Sequence, residues 1–80
     1  MVHELKILPE YAALALQGYK PWELRLNDRD YKVGDKIIFT AEDHQQKEIT
    51  IFERLITYVF QGGQYGLDKD HVILTLAKEI

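Results

Sequence analysis

The chain has 80 residues, 46% of them hydrophobic and 11% aromatic, with no cysteine and a formal net charge of −3. Length and composition predict one folded domain over residues 1–80 and argue against disorder. The lack of cysteine excludes disulfides and thiolate–metal ligation, and the acidic balance counts against indiscriminate binding to phosphate backbones.

The opening stretch, MVHELKILPE, carries Glu4 and Lys6 and lacks the long apolar run of a signal peptide. No run approaches the ~20 apolar residues of a membrane helix. A cytoplasmic protein with no membrane partner is the expectation. His3, Leu5 and Ile7 alternate with Glu4 and Lys6, which predicts a half-buried strand over 3–7. A helix over about 9–17 follows: Pro9 suits the first helical position, Glu10 meets the positive end of the helix dipole, and Gly18 can close it. So short a helix must pack on a sheet.

The remaining elements read as strands. WELRL (22–26) alternates Trp22, Leu24 and Leu26 with Glu23 and Arg25. NDRDYKVGD is turn-rich, and Val33-Gly34-Asp35 predicts a tight turn opening the strand KIIFT (36–40). AEDHQQ reads as a polar hairpin loop. KEITIFERLITYVF (47–60) loses phase, since Ile49 and Ile51 define one face and Ile56, Tyr58 and Phe60 the other parity; a bulge near Phe52–Arg54 is expected. QGGQYGLDKD is a glycine-rich loop, and HVILTLA (71–77) a last buried strand. The fold class is α+β, mostly β: a small, partly closed mixed barrel of about five to six strands with one N-terminal helix.

Residues 20–36 carry a slight positive excess on an otherwise acidic chain. Glu23 and Arg25, two apart on one strand, point the same way. On spacing alone they read as an exposed ion pair worth ~0–1 kcal/mol. Lys20, between Gly18 and Pro21, can aim its ammonium back over the strand and turn the pair into a site. QGGQYG (61–66) lacks the P-loop ending and reads first as a hairpin turn, although Gln61, Gln64 and Tyr65 have the chemistry to touch or stack on a base. His3, His44 and His71 show no metal-ligand spacing, so neither metal nor cofactor is expected. His44 reads as a loop residue; His3 begins the first strand and His71 the last, where either could border a cleft, although surface or strand-end packing is the first reading.

Gly18-Tyr19-Lys20-Pro21-Trp22-Glu23-Leu24-Arg25 resembles the G-x-K-x-x-E-x-R signature of the ASCH superfamily, named for homology to activating signal cointegrator. HELKILPEY before it, LRLNDRDYKVGDKIIF after it and QGGQYGL ahead of the last strand extend the resemblance over nearly the whole chain. The resemblance implies a PUA-like β-barrel and a cleft that binds RNA, a nucleoside or a nucleotide, lined by Lys20, Glu23 and Arg25. Asn27, Arg29 and the 61–66 loop are its expected walls.

Some small members of that superfamily resemble amidohydrolases acting on 4-acetylcytidine through a Lys and a Thr of this motif and a later Glu. Here Glu23 stands at the Thr position, and after Glu53 only Glu79 remains. If the chain were an enzyme, Lys20 and Glu23 would be its catalytic pair, with Glu23 as general base. Three functions are therefore in view: a binding module for RNA or nucleotides, a small amidohydrolase, and a protein-interaction domain, including a homodimer.

Overall fold

The computed structural model describes residues 1–78; Glu79, weighed above as a distant acid, lies outside them. The elements run β1 (Val2–Lys6), α1 (Pro9–Leu16), β2 (Trp22–Leu26), β3 (Lys36–Asp43), β4 (Glu48–Gln61) and β5 (His71–Ala77). Half of the described residues are strand. The five strands form one sheet of order β1-β3-β4-β5-β2, parallel between β1 and β3 and antiparallel elsewhere. The sheet curls into a half-barrel, so the expected α+β barrel-like fold is what forms. No helix among the described residues is long and apolar enough to cross a membrane.

The concave face holds the core. Ile37, Ile56, Val72 and Leu74 are fully buried there, and the rings of Phe39 and Phe52 stack 5.1 Å apart. The helix lies over this face. Its small inward residues Ala12 and Ala15 are buried, which lets it approach the buried Ala41 of β3. Pro9 opens it and Glu10 sits in its first turn, as expected from their charge and ring geometry. It closes through Gly18 at φ 88°, with the amides of Tyr19 and Lys20 both donating to the Leu14 carbonyl at 2.9 and 3.3 Å. Arg54, buried on β4, adds a cation here by donating to the Ala15 carbonyl at 3.4 Å.

Three local expectations need correction. The third strand runs on through Ala41–Asp43, so the hairpin loop is 44–47 rather than AEDHQQ; Ala41 extends the core and draws the strand with it. The irregularity in β4 falls at Thr57, between Ile56 and Tyr58, not at Phe52–Arg54. Through Ile56 the inward positions are Thr50, Phe52, Arg54 and Ile56, so Ile49 and Ile51 face solvent and Glu53 is in phase. Finally, His3 is a buried residue of β1. Its Nε2 lies 2.8 Å from Oδ2 of Asp35, and its ring meets Tyr31 edge-on at 4.7 Å.

Both edges of the half-barrel are open. Leu76 N–H donates to the Pro21 carbonyl and Asn27 N–H to the Asp70 carbonyl, at 2.9 and 2.7 Å. In that antiparallel register Glu23 and Arg25 turn their backbone groups toward β5, whereas Trp22, Leu24 and Leu26 turn theirs to the free edge. On β1 the amide of Ile7 donates to Thr40 and the Met1 carbonyl accepts from Lys36, both at 3.0 Å. The backbone groups of Val2, Glu4 and Lys6 accordingly face away from β3, into the gap beside β2.

Candidate functional site in the seam

β2 is inside out. Glu23 lies opposite Leu74 and Arg25 opposite Val72, two fully buried residues of β5, so both charged side chains point to the concave face. Trp22, Leu24 and Leu26 pair with Thr75, Ile73 and His71 and face outward, each about half exposed. The exposed ion pair expected from spacing is thus a buried one: Glu23 is only 6% exposed.

Its carboxylate is held on both sides. Lys20 Nζ donates to Oε1 at 2.7 Å and Arg25 Nε to Oε2 at 2.8 Å. Lys20 Nζ also donates to the Trp22 carbonyl at 2.9 Å and sits 4.5 and 5.5 Å from the ring centres of Trp22 and Tyr11. The helix termination described above places the Lys20 backbone, and the two aromatic rings hold its ammonium. Arg25 Nη2 donates to the Lys6 carbonyl at 2.6 Å. Among the described residues this hydrogen bond is the tie across the gap between β1 and β2. The cluster is two cations around one carboxylate, with unused N–H groups on both Lys20 and Arg25.

A hollow of about 400 Å³ opens along this gap, bordered by Lys6 and Leu8 on one side and Glu23, Leu24, Arg25 and Leu26 on the other. A second hollow of about 270 Å³ adjoins it between Tyr11, Lys20 and Trp22. The seam therefore combines cationic donors, one fixed carboxylate, aromatic faces and aliphatic walls. That is the composition of a site for a small, partly aromatic, anionic or carbonyl-bearing ligand.

The other sequence candidates lie elsewhere. Asn27 accepts the Tyr31 amide at 3.4 Å and shapes the following turn. Arg29 is half exposed beside Asp28, 4.0 Å away. Gln64 Nε2 donates to the Gln61 carbonyl at 2.9 Å, and Tyr65 is 93% exposed with its ring 6.3 Å from Phe60. None of these five borders either hollow. Sequence reading missed Tyr11, Leu8 and the Lys6 carbonyl. Tyr11 had a signal, an aromatic at the start of a helix ending in the motif; a backbone carbonyl has none. His71 opens β5 as a strand-end residue, as expected, and it is half buried and borders the larger hollow.

Behind the seam lies a second polar cluster. Asp35 receives His3 on one side and, at 3.1 Å, the Lys32 amide. The His3 hydrogen bond is the main cause that lowers its carboxyl to about 2. Tyr31 is buried next to it, and burial, reinforced by Asp28, raises its phenol against the opposing pull of Arg25 and Arg29. Among the described residues no group of three His, Asp or Glu side chains is arranged to hold a metal ion.

Fold and site define a small α+β half-barrel whose open seam carries a buried, cation-rich charge cluster. The domain of unknown function DUF3850 matches residues 2–76, and the chain belongs to that family. No curated protein matches the chain.

Proposed function

We propose that the chain is a binding module for RNA or a nucleotide, and that the ligand occupies the seam between β1 and β2. The observation that carries this reading is the inversion of β2. Turning Glu23 and Arg25 inward while leaving Trp22, Leu24 and Leu26 half exposed runs against the hydrophobic preference of a strand. Departures of this kind are the mark of functional sites. The likeness of residues 18–25 to the ASCH signature supports the same reading, because Lys20, Glu23 and Arg25 are the residues it would employ.

In this role the spare N–H groups of Arg25 and Lys20 meet a phosphate or a base carbonyl. Glu23 fixes both cations in position, and Trp22 and Tyr11 offer faces for a base. The hydrolytic reading has less to stand on. The chain has no serine, no threonine borders either hollow, and both oxygens of Glu23 are already engaged in holding the cations.

Trp22 is the only tryptophan, and its emission is the natural probe. Nucleoside monophosphates and short single-stranded RNA, titrated at low salt, are expected to quench it. Arg25→Ala or Lys20→Ala should weaken the binding about tenfold or more, the loss of one charge-assisted contact. The salt dependence should be shallow, with a slope near −1, because only one or two phosphates can be met. Emission unmoved at millimolar ligand would remove nucleotides and RNA from consideration.

A further inference from the structure

The convex face of the sheet is divided. Over β1, β3 and the first part of β4 its outward positions are mixed, with Glu4, Lys36 and Glu53 among hydrophobic neighbours. Over β2, β5 and the end of β4 they carry no Asp, Glu, Lys or Arg at all. Trp22, Thr75 and Tyr58 form one row across the strands, and Leu24, Ile73 and Phe60 the next. A solvated sheet face normally alternates polar residues outward, so this half is unusual for a surface meant to stay in water.

We infer that this uncharged half of the convex face is a self-association surface, on which a second copy of the chain packs face to face. The face meets the ligand site at Trp22, Leu24 and Leu26, which border the hollows, whereas Tyr58, Phe60 and Ile73 lie clear of both, so a substitution at Tyr58 separates the two readings. Its first support is area. Trp22 is 45% exposed, Leu24 47%, Leu26 50% and Tyr58 58%, with Ile73 and Phe60 half buried between them. At 150–250 Å² for a whole aromatic side chain, and with Tyr65 standing 93% exposed against Phe60, the face presents on the order of 700 Å². A stable interface takes about 800 Å² from each partner.

The second support is charge. A surface without charges offers nothing to a phosphate backbone or to a strongly charged protein, whereas it is complementary to itself about a two-fold axis. Through such a face two copies of an acidic chain meet without opposing like charges. Tryptophan, tyrosine and phenylalanine are also the residues enriched at the centres of interfaces. Two twisted sheets can stack in this way at about 10 Å separation.

The test is sedimentation equilibrium of the full chain from about 10 μM to about 1 mM, repeated with Tyr58→Asp and Ile51→Asp. Both positions are well exposed on β4, at 58% and 65%, and circular dichroism checks that both variants fold. The expected result is a dimer that Tyr58→Asp weakens at least tenfold and Ile51→Asp leaves unchanged. Trp22 emission should move to the red as the wild-type chain is diluted. A monomer at about 1 mM, or a dimer equally indifferent to both substitutions, overturns the inference. So does a monomer whose Tyr58 and Phe60 amides shift on adding an oligonucleotide, since the face would then be a base-stacking platform.

Discussion

At the residue scale, the carboxylates of Glu23 and Asp35 are both held in place, by different means. Glu23 is fixed by two cations at the seam, while Asp35 is fixed by a histidine and a backbone amide behind it. Because the Asp35 carboxyl is lowered to about 2 from an unfolded value near 3.9, the folded state binds its proton less readily than the unfolded one. Its stabilisation is therefore complete above about pH 4 and is lost as pH falls through about 2. Asp35→Asn should lower the urea midpoint at neutral pH, with the two proteins converging toward pH 2; parallel curves over that range would assign the acid sensitivity elsewhere. Little of this was legible in advance. Alternation in WELRL tells which side chains share a face, but not which face is inside, and assigning the inside by hydrophobicity fails where a charged site claims it. The pairing of His3 with Asp35 joins distant parts of the chain and has no local signature.

At the element scale, the glycines that end elements have unequal tasks. Gly18 needs only its positive φ, since a Cβ there would meet nothing. Gly62, at the start of the β4–β5 connection, needs space: a Cβ there would run into the carbonyl oxygens of Asp68 and His71. Gly18→Ala is expected to cost about 1 kcal/mol. Gly62→Ala should cost about 2–3 kcal/mol or more, because backbone must move. Chemical denaturation of the two variants measures the difference, and equal losses would mean that the 62–71 connection yields easily. The order of strands and helix was readable because apolar alternation, Pro9 and Gly18 act locally. The bulge was misplaced because Arg54 occupies an inward position and Ile49 and Ile51 outward ones. A hydrophobic pattern inverts where a buried arginine reaches the end of a helix.

At the scale of the whole molecule, the unclosed gap between β1 and β2 fixes which amides are protected. Glu23 and Arg25 turn theirs toward β5, and Trp22, Leu24 and Leu26 turn theirs to the gap. Amide exchange along β2 should alternate residue by residue, slow at 23 and 25 and faster by about tenfold or more at 22, 24 and 26, a factor set by local opening. Uniform protection would mean that the gap is closed in solution. The sheet order carries a different consequence, in time rather than space. β3, β4 and β5 follow one another as neighbours and can zip from their own turns. β2 precedes all three in the chain yet pairs only with β5, the last of the five described strands in chain order. Since distant pairings form late, the pocket exists only once the final strand has docked, and a nascent chain is blind to its ligand until translation has passed residue 75.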